Sequence, residues 1–401
     1  MKLVRWLLLL MILLLTGCWN RVELNDIAII SATGIDWKDG KWILSYQVVI
    51  PRAISSQTGE SGTAAVNVFS TSGDNFRFAI SKASEELSRR LYFSHNQIVI
   101  IGQEAARRGI GPLMEVYLRN HDSRETVSVF LSRSDARGIM EQLIPLEQIP
   151  GAAIQRLIVN EEIGSSAFRH MAVHDALMEL LGSSKATAIP GLIIAGPGEG
   201  TESVGDLGKT TTATKVRLKD LGLIQGDKLV GWVSDEQSKG VMWLSDHVER
   251  STVSFTCADN RKGKPTSSVR ILDTSTKLKP IPANGKWIVK ADVEASGVLM
   301  EYNCSGDPSK PQEVEKIEKR IEEEIKGIMT DGWEAVRKHK ADVLGFGALI
   351  HKRYPKQWRE ASANWEELFP QTEVEITVKM RLSSTGMSNQ NFKEAQKKAE
   401  S

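Results

Sequence analysis

Lys286-Trp287-Ile288-Val289-Lys290-Ala291-Asp292-Val293-Glu294-Ala295 decides the fold class of the second half of this chain. Trp287, Val289, Ala291, Val293 and Ala295 alternate with Lys290, Asp292 and Glu294. That period of two marks a strand with one apolar and one solvated face, continuing over 286–304. Thr372–Leu382 repeats it: Val374, Ile376, Val378, Met380 and Leu382 point one way, and Glu373, Glu375, Lys379 and Arg381 the other. Further strands are expected at 251–258 and 267–274. Between these strands the period changes. Over about 312–340, Val314, Ile317, Ile321, Ile325 and Ile328 form one apolar stripe on an otherwise charged stretch, which predicts a long helix with a solvated outer face.

Working towards the N-terminus, Ser234 and Gln237 form a capping box for a short helix to Leu244, and Gly226-Asp227 predicts a hairpin. Residues 196–210 are rich in glycine and lack apolar periodicity, so the main boundary falls there. The reading is an N-terminal module over 18–200 (one unit or two subdomains), a linker at 201–210, a C-terminal module over 211–386 and a polar tail at 387–401. Within the first module Asp39-Gly40 joins two strands of a hairpin over 27–50, and 52–65 reads as a loop. A helix from about Asp74 carries Phe76, Ile80, Ala83, Leu87 and Leu91 on one face. Strands at Ile98–Ile101 and Thr126–Leu131 alternate with a helix from Pro112 to Leu118 and one capped by Ser134-Asp135. Residues 152–182 look helical, and Ala188–Ala195 is a strand. This alternation of strands and helices suggests a multi-domain α/β or α+β chain, with mixed and antiparallel sheets and flanking helices.

The first eighteen residues set the compartment. Lys2 and Arg5 precede an apolar run from Trp6 to Leu15 and then Leu15-Thr16-Gly17-Cys18. This is the layout of a signal peptide over 1–17, and the run falls short of the ~20 residues that a bilayer-crossing helix needs. A Cys after Leu-Thr-Gly resembles the bacterial lipobox, in which the thiolate accepts a diacylglycerol. Cys18 is therefore read as a lipid anchor. The chain has 51 basic and 50 acidic residues, a balance that argues against a nucleic-acid partner. Cys257 and Cys304 are the other two of three cysteines, too few for a disulfide-rich scaffold. Each ends an expected strand of one module, so they either pair or stay as two buried thiols.

No enzyme signature stands above its bland alternative. Gly205-Asp206-Leu207-Gly208-Lys209-Thr210 ends like a phosphate-binding loop, but Ser203 occupies the first glycine position and strand-forming residues follow. His170 and His174, four apart, lack the Glu of the zinc-protease pattern, since Met171-Ala172-Val173 lies between them. Asp122, Arg124 and Glu125 beside His121 are better read as local ion pairs than as an acid–base cluster. Ser166 and Asp175 have no nucleophile-elbow context. No catalytic residue, metal site or cofactor is assigned.

Three stretches together resemble the C-subunit (GerC-type) lipoproteins of the nutrient germinant receptors of endospore-forming bacteria. They are Gly17-Cys18-Trp19-Asn20-Arg21-Val22-Glu23-Leu24-Asn25-Asp26; Ser88–His95 with Tyr117–Glu125; and Asp342-Val343-Leu344-Gly345-Phe346-Gly347 followed by Tyr354-Pro355-Lys356, Trp358, Asn364-Trp365 and Phe369-Pro370. The resemblance implies an α+β fold in three domains. It also implies a non-enzymatic subunit, lipid-anchored to the outer face of the spore inner membrane beside two membrane-embedded partners, the A and B subunits. The complex would sense a small-molecule germinant (an amino acid, sugar or nucleoside) at a pocket attributed mainly to the B subunit, leaving this chain a role in assembly or signalling. Arg119, Asp122, Arg124 and Glu125 are candidates for a partner-facing patch. So are Tyr354 and Trp358, within the aromatic stretch that also holds Phe346, Trp365 and Phe369, unless these rings are core. The rival readings are a solute-binding lipoprotein of an ABC importer, which needs two similar lobes around a cleft, and a lipid-anchored hydrolase.

Overall fold

The computed structural model describes residues 23, 25–55, 63–119, 126–197, 200–257, 267–283, 285–386 and 396. Cys18, Asp122, Arg124, Glu125 and all of the 387–401 tail except residue 396 lie outside them. The strands are β1 Ile27–Lys38, β2 Lys41–Val49, β3 Val66–Gly73, β4 Arg90–Tyr92, β5 Ile98–Gly102, β6 Ser128–Ser132, β7 Ala186–Ala195, β8 Lys215–Gln225, β9 Lys228–Val233, β10 Ser251–Phe255, β11 Ser267–Ala283, β12 Lys286–Glu301 and β13 Glu373–Ser384. The helices longer than five residues are α1 Phe76–Glu86, α2 Gln103–Arg108, α3 Gly111–Arg119, α4 Ala136–Glu141, α5 Pro150–Gly164, α6 Val173–Leu181, α7 Asp235–Leu244, α8 Pro311–Lys338, α9 Phe346–Arg353 and α10 Pro355–Ala361.

Nine strands make the larger sheet, in the order β3-β2-β1-β5-β6-β7-β8-β9 with β4 beside β1. Its centre is parallel (β1, β5, β6, β7), and antiparallel hairpins close both ends. Every residue of β5 and β6 is buried, as befits parallel strands covered on both faces. Val99, Ile101, Val129 and Leu131 pack with α1, α3 and α6 on one side, while Ile98, Ile100 and Phe130 face α4 and α5 on the other. The smaller sheet runs β10-β11-β12-β13, antiparallel except for the parallel β12–β13 pair. The excursion between β12 and β13 contains α8. Ile317, Ile321, Ile325 and Met329 of α8 are buried, and Val314 and Ile328 are half-buried at the edges of that stripe. Two sheets with flanking helices are the multi-domain α+β arrangement expected.

Three features differ from the sequence reading. β8 and β9 follow the glycine-rich stretch and were placed in the second module, yet they hydrogen-bond to β7 and form the edge of the larger sheet. Pairing partners of this kind are non-local and leave no mark in strand periodicity. The single helix over 152–182 is two, because Ser166 adopts φ 50° and turns the chain. Its buried hydroxyl donates to the Glu162 carbonyl (2.6 Å) and accepts from Glu249 N (3.1 Å) and Arg250 N (3.3 Å), which accounts for a turn a β-carbon disfavours. Finally, Asp135 occupies the N-cap position of α4, but its side chain makes no capping bond. Asp36 at the end of β1 takes that role, accepting from Ala136 N at 2.8 Å and Arg137 N at 3.3 Å.

Candidate functional site

The two sheet layers meet around the turn from α6 to β7 (Ser183-Ser184-Lys185) and the loop from α8 to α9. Asp342 on that loop is 2 % exposed and holds the junction together. Its Oδ1 accepts from Phe346 N (2.9 Å), and its Oδ2 accepts from Gly347 N (2.6 Å), Trp365 Nε1 (2.9 Å) and Ser184 Oγ (2.7 Å). Burial raises its pKa from the ordinary carboxylate range. The hydrogen bonds from Ser184, Gly347, Trp365 and Phe346 pull the other way. Two glycines of the motif have physical duties here. Gly345 caps α9 at φ 73°, a left-handed conformation that glycine adopts without strain, and a β-carbon on Gly347 would stand 2.8 Å from Trp358 and 3.1 Å from Asp342 Oδ2. Asp342-Val343-Leu344-Gly345-Phe346-Gly347 is thus a clasp, one of whose four donors comes from the other layer.

Above the clasp lies a cleft of about 340 Å³, lined by Arg169, Glu179, Ser184, His247, Asp342 and Leu344 among others. Arg169 bonds to Glu179 and donates from Nη1 to His247 Nε2 at 2.9 Å, while Thr187 Oγ1 donates to Glu179 Oε2 at 2.6 Å. A guanidinium can only donate, so His247 Nε2 is an acceptor and the imidazole is neutral. Burial, and then the Arg169 charge, lower the His247 pKa, whereas Glu179, the Ser245 carbonyl and Asp246 oppose this. Each charged group of the cluster already has its counterpart. Such an arrangement fixes the junction electrostatically. Among the described residues no group of three His, Cys, Asp or Glu side chains could hold a metal.

The residues singled out from sequence do not converge on this cleft. Arg119 ends α3, its side chain 74 % exposed and paired with Glu115 of the same helix. Tyr354 is half-buried beside Trp287, with ring centroids 5.6 Å apart. Trp358, a candidate partner contact, is instead core: it is 6 % exposed, 5.3 Å from the Trp365 ring and 5.9 Å from His351. It therefore has little ring surface to offer a partner. Cys257 and Cys304 form a disulfide with Cα atoms 5.2 Å apart, tying the end of β10 to the segment after β12 across β11. His170 precedes α6 rather than lying on it, and its Nε2 is 2.7 Å from Ser128 Oγ. At 205–210 a one-turn helix, Val204–Leu207, starts from a Ser203–Asp206 capping box, and Lys209 pairs with Asp206 at 3.0 Å. The cluster of Arg169, Glu179 and His247 was not legible, because its members come from three separate elements. Asp342 was quoted for its motif, and its only local signal was a carboxylate four and five residues before two N–H groups at a helix start.

The chain that builds these two sheets matches two domains of the spore germination proteins in sequence. Residues 20–194 match the spore germination protein N-terminal domain, and residues 219–386 match the spore germination B3/GerAC-like C-terminal domain. The chain belongs to this GerC-type family. It is 30 % identical over 397 residues to spore germination protein KC of Bacillus subtilis (strain 168), covering 96 % of each chain. It is also 26 % identical over 385 residues to the putative spore germination protein YfkR of the same organism, covering 94 % of this chain and 95 % of that one. The crystal structure of the GerBC protein shares the fold, with a TM-score of 0.54 and 17 % identity over 88 % of this chain and 96 % of the other.

Proposed function

We propose that this chain is the lipid-anchored, non-enzymatic C subunit of a nutrient germinant receptor. It would stand on the outer face of the spore inner membrane beside the A and B subunits and act in assembly or signalling rather than chemistry. The observation that carries the reading is the pairing of two family domains with a lipobox, Leu15-Thr16-Gly17-Cys18, directly before the first of them. Two acyl chains on Cys18 would hold a folded body at the membrane, where one chain binds only marginally. The paired charges of the Arg169 cluster favour a structural role over catalysis. The importer reading needs two similar lobes, and a nine-stranded sheet beside a four-stranded one gives no such pair.

Fractionation of spores carrying Cys18→Ala tests the anchor: the variant should fold, leave the membrane fraction and impair germination. Full retention on membranes with unchanged germination refutes it. Affinity purification of the wild-type chain from spore membranes should bring down two multi-span membrane proteins encoded beside it. Their absence refutes the assembly role.

A further inference from the structure

β13 is an end strand of its sheet, with β12 on one side only. Successive N–H groups of a strand point to alternate edges. Those of Met380 and Leu382 point away from β12, and both are met by carboxylates of α8. Glu322 Oε1 accepts from Met380 N at 3.0 Å, and Glu318 Oε1 accepts from Leu382 N at 2.8 Å. Four residues of helix advance about 6 Å and two residues of strand about 6.6 Å, so the two glutamates are spaced to fit the two amides. By the same alternation the N–H groups of Val374, Ile376 and Val378 point to this edge, beyond the reach of that pair. An open edge of this kind is a template for strand addition, and charged side chains placed on it are a common guard.

The sequence of β13 says what would add to it. Laid antiparallel to itself and centred on Val378, the strand sets Val374 opposite Leu382, Ile376 opposite Met380 and Glu375 opposite Arg381, each twice by two-fold symmetry. The residues with outward N–H groups then face one another, as ladder formation requires. Glu375 and Arg381 lie on the exposed face. Glu375 already pairs with Lys290 of β12 at 3.1 Å, which leaves its outer flank for an arginine across the edge. We propose that the β13 edge is a pairing surface for the same strand of a second copy of this chain, held shut by Glu318 and Glu322.

Hydrogen exchange on the detergent-extracted full-length wild type gives the first test. The Met380 and Leu382 amides should exchange at least about tenfold more slowly than those of Ile376 and Val378, which share the edge without a carboxylate. Equal rates overturn the lock, whatever any variant does. In sedimentation velocity the wild type should be monomeric and Glu318→Ala/Glu322→Ala dimeric. Adding Glu375→Arg should abolish that dimer, and adding Arg381→Glu as well should restore it. A folded double-alanine variant that stays monomeric, or a dimer indifferent to the charge swap, overturns the proposal. Should the double variant fail to fold, the single change Glu322→Ala carries the same expectation of a dimer, and a folded monomer again overturns it.

Discussion

Asp36→Asn should change how stability depends on pH. Asp36 is 8 % exposed at the end of β1, where its carboxylate caps α4. A β-carbon on Gly102 would stand 2.1 Å from its Oδ1, so the site is closely walled. Burial raises its pKa from 3.8 to about 6. The backbone bonds from Ala136 and Arg137 oppose the shift, and the neighbouring Asp135 adds to it. In the unfolded chain the group ionises near 3.8, while the folded protein keeps its proton until about 6. Between those values the native state binds more protons, so stability is greatest below 3.8 and falls as pH rises through 6. The gap between 3.8 and about 6, at about 1.36 kcal/mol per pH unit, is worth about 3 kcal/mol. Asparagine cannot ionise, and other titrating groups cancel between the two chains. The stability of Asp36→Asn relative to wild type should therefore grow by about 2.4 kcal/mol from pH 4 to pH 7, the rest of the change falling below pH 4. Urea unfolding at pH 4, 5, 6 and 7, followed by tryptophan fluorescence with Trp37 and Trp42 on the same hairpin, measures it. A difference constant to within about 1 kcal/mol across that range refutes the assignment of a desolvated carboxylate.

Asp342→Ala leaves four buried donors without an acceptor and should cost about 3–5 kcal/mol in urea unfolding, with Ser184→Ala costing about 1 kcal/mol. A loss below about 1 kcal/mol for Asp342→Ala would show that water replaces the clasp. Reducing the Cys257–Cys304 disulfide, or replacing both cysteines by serine, reopens a loop of 47 residues and should lower the stability of the smaller sheet by about 4 kcal/mol in the chain-entropy model. Calorimetry with and without reductant checks this. Gly240 of α7 lies against α8, where a β-carbon would be 2.1 Å from the Ile328 carbonyl oxygen and 2.9 Å from Gly332 Cα. Gly240→Ala should destabilise by about 3 kcal/mol by forcing the helices apart, whereas Gly327→Ala, with open space around it on α8, should stabilise by about 0.5–1 kcal/mol. Equal effects of the two changes in thermal melts would contradict the close helix crossing.

Periodicity in the sequence determined most elements of this protein. The alternation at 286–304 and 372–382 and the stripe on α8 are local records of which face meets the core, so β12, β13 and α8 follow from them directly. The Asp39-Gly40 turn and the Ser234–Gln237 capping box are likewise signals carried by neighbouring residues. Tertiary structure alone decided the rest. That β8 and β9 finish the larger sheet, and that Asp36 rather than Asp135 caps α4, depend on partners tens to about a hundred residues away. The same holds for Asp342, whose carboxylate takes a proton donor from Ser184 across 158 residues, and for Arg169 with His247 across 78. A buried polar group is stable only when its partners are complete. Which partners complete it is fixed when the layers pack, and a single sequence, read by local pattern, carries no trace of that choice.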